Sequence, residues 1–370
     1  MAELRTYVGK TAGATVALSV STLPDGRVRV DERSGSTLKA SQLLSRAEAD
    51  ALIAALRPAA PPAPDPAPAA QLWDARSPWN TPIPAGAATV PNSATTVAAV
   101  GATGPLTSDP RQYAGPIYEV DFAATPNVTV HTSGTFHDYP QGDTKPCVTL
   151  AWGDDCSLPI PRGVVPSNGS DAHVILRDSK AQIEMGFWQF EWRADGSLDI
   201  TNGYRTSYAA GNFGTFRDGK SGRGAGTPYG AGCVTRADFD SGEIKHALAF
   251  AANLPYKTGL VYPASKTDGK SDNPHMPIEG ARFQLDPAFD VNTLPPELDG
   301  SGKVIQGARL ARMIARALQT HGMYVIDCSG RNKLYLEDAA TAKWDSSVTD
   351  QLVASIPWTA YRIVEPPAVP

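Results

Sequence analysis

Long apolar runs are missing from this 370-residue chain, and so is any cluster of Lys or Arg. No stretch approaches the roughly 18 apolar residues a bilayer-spanning helix needs, and the opening MAELRTYVGK carries no apolar h-region. Neither a membrane span nor a Sec-type signal is expected. With 33 basic residues set against 38 acidic ones and no basic patch, nucleic acid and anionic membrane surfaces drop out as expected partners. Cysteine is scarce. Four residues without a CxxC exclude a zinc ribbon or a thioredoxin-type motif. Cys147 and Cys156, nine apart around a Gly-Asp-Asp turn, can bridge if their Cα atoms come within reach, while Cys233 and Cys328 read as buried thiols. HExxH, clustered His and GxSxG are all absent, which disfavours zinc and serine-hydrolase chemistry. Asp154-Asp155 and Asp272-Asn273 offer hard oxygen ligands without the spacing of a calcium loop. No cofactor is expected, a structural calcium ion being the one alternative. Internal repeats are absent as well, which excludes a solenoid.

What is abundant is Gly (33) and Pro (32), beside only 19% charged residues. That composition points to a mainly β, loop-rich fold, read here as a jelly-roll-like β-sandwich with a few helices, preceded by a small β/α module. Residues 4 to 9, 14 to 20 and 27 to 32 pattern as short strands. A helix follows, introduced by the capping box Ser45-Arg46-Ala47-Glu48 and striped by Leu52, Ile53 and Leu56. Residues 1–57 form this module, and the run PAAPPAPDPAPAA at 58–70 reads as a stiff, extended spacer. The large domain occupies 71–370. Strands are expected at 118–122, 128–131, 148–152, 174–177, 182–192, 259–262, 281–285 and 323–328. A short helix is expected after a cap at Asp240, and a longer one at 305–320, ended by His321-Gly322. The Gly-rich tract 204–232 reads as a functional loop. Inside it, residues 214–221 match the spacing of a phosphate-binding loop. Ser207 to Phe213 before it is a poor core strand, and Gly222 to Gly232 after it, with five Gly and a Pro, cannot be a helix, and a nucleotide site is rejected on that ground.

The stretch with the strongest chemical pattern is DAHVILRDSKAQIEMGFWQFEW, residues 171–192, a hairpin broken at Asp178-Ser179. A two-residue loop there pairs Val174 with Ile183 and His173 with Glu184. Side chains alternate, so Val174, Leu176, Ile183, Met185 and Phe187 share one face. His173, Glu184, Trp188, Phe190 and Trp192 share the other. Proton-transfer groups beside flat apolar rings suit a carbohydrate cleft. Glu184 is the expected acid or base, with His173 tuning it and Asp238 supplying the second carboxylate of a glycosidase. Trp188, Trp192, Tyr204, Tyr208 and His246 are the expected sugar contacts. If the substrate is a uronide, His173 instead becomes the base of an elimination.

The segments SPWN (77–80), the 173–184 hairpin, GEIKHAL (242–248), YPA (262–264), EGARFQLDPAFD (279–290) and HGMYVID (321–327) resemble a family of secreted actinobacterial proteins and actinobacteriophage tail proteins. The resemblance covers most of residues 71–345 and implies a β-sandwich with a carbohydrate-related role. The small module and its spacer are similar in arrangement to a phage minor tail protein. It follows as an expectation that the chain works outside the host cell on a virion tail, where it binds and cleaves a cell-envelope polysaccharide. The small module would then dock on other tail proteins, with a homo-oligomer left open. The competing expectations are a non-catalytic receptor-binding module and a polysaccharide lyase.

Overall fold

A computed structural model describes residues 4–11, 14–22, 28–34, 37–45, 48, 72–139, 148–150, 155–208 and 211–369. The fold is mainly β with few helices, as composition implied. The Pro/Ala run at 58–70, most of the helix expected after Ser45, and Cys147 lie outside the described residues.

The first unit is a four-stranded antiparallel meander of β1 (Leu4–Thr11), β2 (Ala14–Thr22), β3 (Val28–Ser34) and β4 (Thr37–Leu44). The fourth strand was not anticipated. The capping box is present: Ser45 N–H donates to Glu48 Oε2 at 2.8 Å, and Glu48 N–H donates back to Ser45 Oγ at 3.3 Å.

The large unit opens with α1 (Ser93–Gly101), β5 (Thr107–Ser108) and β6 (Ile117–Glu119), followed by the 13-residue β7 (Asn127–Tyr139), β8 (Val148–Leu150) and β9 (Asp155–Pro159). Next come β10 (Val174–Asp178), β11 (Ile183–Trp188), β12 (Glu191–Trp192) and β13 (Leu198–Ser207). These strands, β5 apart, form an eight-stranded sheet in the order β6-β10-β11-β13-β7-β8, with β9 on β7 and β12 on β13. β7 takes β9 along its first half and β8 along its second, because its register against β13 shifts near Gly134. The sheet therefore curls, and its concave face closes on Val130, Phe136, Val174, Leu176, Met185, Phe187 and Leu198.

The second sheet follows α2 (Arg236–Ser241). It comprises β14 (Leu248–Asn253), β15 (Arg282–Leu285), β16 (Met323–Ser329) after α3 (Gln306–Thr320), then β17 (Lys333–Leu334) and, after α4 (Ala339–Ala342), β18 (Tyr361–Val364). With β5 it forms six strands in the order β18-β15-β16-β14-β17-β5. Leu310, Ile314 and Leu318 of α3 cover one face, and burying each such side chain contributes about 2 kcal/mol. The opposite face carries Ala249, Ala251, Tyr324 and Ile326.

Between that alanine-rich face and the convex face of the curled sheet lies the glycine-rich tract. Ala225 and Ala231 pack on the six-stranded sheet, while Phe216 and Tyr229 pack on Tyr139, Ile175 and Tyr204 of the other. Small residues are what allow it. At Gly232 (φ +68) a Cβ would stand 2.6 Å from the Ala249 nitrogen and 2.5 Å from the Trp79 ring. The SPWN segment staples the tract: Ser77 Oγ donates to Phe213 O at 2.8 Å, and Trp79 Nε1 donates to Gly214 O at 3.0 Å. Residues 214–221 are accordingly an interlayer turn.

Four expectations need correction. The hairpin closes through Ser179–Gln182, so Val174 pairs with Phe187 and Arg177, not His173, pairs with Glu184. Gln182 takes φ +57, which lengthens the turn by two residues and slides the register without exchanging the two faces. Gln189 takes φ +56 just past β11, and this single left-handed residue sends Phe190 and Trp192 into the concave core, opposite to the expected face. The helix expected after a cap at Asp240 instead spans Arg236–Ser241 and contains that residue. Thr235 and Asp238 form its capping box, it ends at Gly242 (φ +82), and Leu248 begins a strand. The expected strand at 259–262 is reduced to one bridge, Leu260 with Glu279.

Candidate functional site

Glu184 and the two tyrosines named with it do come together. Glu184 is fully buried near the start of β11. It accepts from Tyr204 Oη at 2.7 Å, Tyr208 Oη at 2.5 Å and Gly230 N–H at 3.1 Å, and Arg177 Nη2 stands 3.6 Å away. The Arg177 Nε–H donates to Tyr208 Oη at 2.9 Å. Burial pushes both phenols upward, and the Glu184 charge adds to this. A carboxylate with that many committed partners is a knot joining the curled sheet to the tract. Gly230 belongs to the knot, because a Cβ there would lie 2.2 Å from Glu184 Oε2.

The other anticipated residues are dispersed. Asp238 closes the α2 capping box by accepting from Thr235 N–H at 2.8 Å, and it pairs with His246 Nε2 at 3.3 Å. Burial draws the His246 imidazole down, but Asp238 more than offsets this, and the net shift is upward. Asp238 itself is held below the usual carboxylate range, since burial is outweighed by His246 and Thr235. Trp192 donates its indole N–H to Val164 O at 2.9 Å, with the Arg162 guanidinium 5.1 Å from the ring centre. Trp188 stays half-buried on the convex side and reaches Asp171 Oδ1 at 3.4 Å.

His173 lies at a different place from Glu184, and residues that sequence reasoning passed over surround it. Its ring meets Tyr229 edge-on at 4.5 Å, and its Nε2 stands 3.9 Å from Asp171 Oδ2. Burial, then Arg223 and Lys333, keep the imidazole well below its ordinary pKa, so it is neutral. Ala172, between Asp171 and His173, takes φ +40, and Gln189 N–H bonds to Asp171 O at 2.8 Å. Two left-handed residues thus fix the Asp171 turn against the end of β11, a local strain of the kind stored at working sites.

From Tyr229 the constellation continues across the tract to the six-stranded sheet. Arg223 donates to Tyr229 O at 3.1 Å, stacks on Tyr335 with its guanidinium carbon 3.6 Å from the ring centre, and stands 3.7 Å from Asp327 Oδ2. Asp327 accepts from Tyr335 Oη at 2.8 Å and Gly224 N–H at 3.3 Å, with 20% of its side chain exposed. Burial pushes its carboxyl up to about 6 and Asp268 adds to the rise, against the pull of Arg223 and of the two hydrogen bonds. Glu279, next to Asp268, is fully buried and held far above the usual range, first by burial and then by Asp268. Lys333 packs its ammonium 4.9 Å from the Tyr335 ring and is lowered to about 8 by burial and Arg223. Beyond burial, Asp171 and Asp327 both raise the Tyr229 and Tyr335 phenols, which places the two carboxylates around one pair of rings. This seam, open at Asp171, Trp188 and Asp327, is the candidate site.

One signal for it was present in the sequence: Asp327 interrupts the apolar run MYVIDCS. Among the described residues no group of three or more His, Cys, Asp or Glu is placed to hold a metal ion. Asp155 pairs with His131 at 2.6 Å and Asp272 pairs with Lys257, while Asp154 lies outside the described residues. Cys156 is a free thiol. No described helix is long and apolar enough to cross a membrane. Compared with protein families, curated proteins and solved structures, the chain matches none of them.

Proposed function

We propose that the large unit binds and cleaves a cell-envelope glycan, and that its acid is Asp327. The observation that carries this reading is a partly exposed carboxyl raised to about 6, bonded to Tyr335 and facing Arg223. Protonating a glycosidic oxygen near neutral pH calls for such a group. Asp171, with its side chain 40% exposed, is the second carboxylate that hydrolysis requires. Trp188, bonded to Asp171, supplies the flat apolar face on which a sugar ring stacks. The proposed setting is a virion tail acting on an actinobacterial envelope, with the first sheet docking on neighbouring tail proteins. Support for the setting comes from the resemblance of the large unit's segments and from the Pro/Ala spacer. Incubating the intact chain with actinobacterial cell-wall polysaccharide and analysing the released sugars tests the reading. Oligosaccharide products that vanish in Asp327→Asn are expected, and no products from the wild type would leave binding alone. Binding without cleavage is the second reading, favoured by the complete enclosure of Glu184 and by the placing of Trp188 and Trp192 on opposite faces.

A further inference from the structure

Arg223 has more hydrogen-bonding capacity than its surroundings use. Its side chain is 1% exposed, and one nitrogen donates to Tyr229 O. The Nε and Nη1 groups donate to nothing among the described residues. The nearest counter-charge, Asp327, stands 3.7 Å away, outside hydrogen-bond reach, and is already committed to Tyr335 and Gly224. A buried guanidinium with idle donors is unfavourable unless an acceptor arrives, and its donors suit a carboxylate or phosphate.

We propose that the glycan taken by the seam is acidic, with its anionic group received by the idle donors of Arg223 beside Asp327. The inference rests on the glycan reading above. Two further features support it. Lys333 places a second positive group against the same Tyr335 ring, and Arg223 is held in one orientation by stacking and by the Tyr229 carbonyl, so it is ordered before a ligand binds. The groups acting on Asp327 are Arg223, Lys266 and Lys333 on the positive side, and Asp268 and Glu279 on the acidic side. Tyr229, Tyr335 and Cys328 complete its surroundings. When Asp327 takes up a proton, Arg223 loses its closest counter-charge. An acidic ligand then meets less repulsion and more unbalanced positive charge, and its affinity should rise as pH falls through about 6. A bound anion would in turn hold Asp327 protonated, the form an acid catalyst needs.

Calorimetric titration of the full chain with oligogalacturonate, a glycerol-phosphate oligomer and a neutral xylo-oligosaccharide of equal length tests this. One of the acidic probes should bind at least about tenfold tighter than the neutral one. Which of them does so tells a uronate from a phosphate. The advantage should grow from about pH 8 to about pH 5, and Asp327→Asn should make it large and remove the part of the rise centred near pH 6, leaving only the part that Lys333 gives near pH 8. Arg223→Met should abolish it. If that variant fails to fold, the Asp327→Asn result alone decides. Equal binding of acidic and neutral sugars would overturn the inference and leave the glycan reading standing, whereas no binding of any sugar would remove the glycan reading itself. An acidic preference that keeps its rise near pH 6 in Asp327→Asn would show that the anion sits elsewhere than at Arg223.

Discussion

Glu184 and Asp327 approach the same glycine-rich tract from opposite sheets. Glu184 has two phenols, an amide and a guanidinium around it and no exposure, whereas Asp327 has one phenol, one amide and a fifth of its side chain open. The arginines differ in the same sense. Arg177 shares a tyrosine with its carboxylate and leaves only Nη2 idle, while Arg223 stacks on a tyrosine and leaves two nitrogens idle. The Glu184 constellation leaves one buried guanidinium nitrogen, Arg177 Nη2, without a hydrogen bond and is closed to solvent, whereas the Asp327 constellation leaves two and is partly open. The difference separates a structural ion pair from a candidate site even though both are buried, charged and rich in tyrosine.

The sharpest way to break the comparison is to remove Glu184. Glu184→Ala would leave Arg177 and two phenols unpaired in the interior and should cost about 3–5 kcal/mol of stability, read by chemical denaturation. The double variant Arg177→Met with Glu184→Leu should lose much less than the sum of its single variants. Gly230→Ala attacks the same knot through the backbone. Its Cβ would collide with Glu184 Oε2, and about 2–3 kcal/mol is expected to be lost.

Asp327→Asn should do the opposite. The folded state raises this carboxyl to about 6, so the wild type loses stability as pH rises from the ordinary aspartate range through about 6. Asn cannot ionise, and thermal melts above that pH should show the variant equal to or more stable than wild type by about 1 kcal/mol. Glu337, raised to about 7 by burial, follows the same sign, and Glu337→Gln should stabilise above about pH 7 by a similar amount.

How far this contrast was legible in the sequence depends on the local chemistry. The two faces of the hairpin follow from period-two alternation and hold from His173 to Trp188, while Phe190 and Trp192 fall on the opposite face from the one expected. The register does not follow, because Gln182 and Gln189 adopt left-handed conformations without the Gly or Asn that would have signalled them. β14, LAFAAN, is a buried strand rich in alanine, and its composition hides the period that marks a strand. Glu184 alternates in the sequence with Trp188, Phe190 and Trp192, but its hydrogen-bond partners are Tyr204 and Tyr208 on the neighbouring strand and just beyond it. Asp327, Arg223 and Asp171 are far apart in the chain and meet only because the tract is threaded between the two sheets. No local pattern encodes that meeting.

The smallest expected stability effect belongs to the His246–Asp238 pair. His246 is raised, so its contribution is present below the ordinary histidine pKa and is lost as pH rises through the folded value. Asp238 is lowered, so its share is lost as pH falls through its own. His246→Ala should therefore cost about 1 kcal/mol near pH 6 and less near pH 9, measured by paired denaturant titrations.

The most direct measurement sets the two carboxyls side by side: initial rates of sugar release from cell-wall polysaccharide, normalised to folded protein, for wild type, Asp327→Asn and Glu184→Gln. A fall of about a hundredfold or more is expected for Asp327→Asn with its melting transition intact, alongside a reduced melting temperature but near wild-type rate for the folded fraction of Glu184→Gln. The reverse pattern, activity surviving in Asp327→Asn and lost in well-folded Glu184→Gln, would contradict the assignment and return the chemistry to the buried knot.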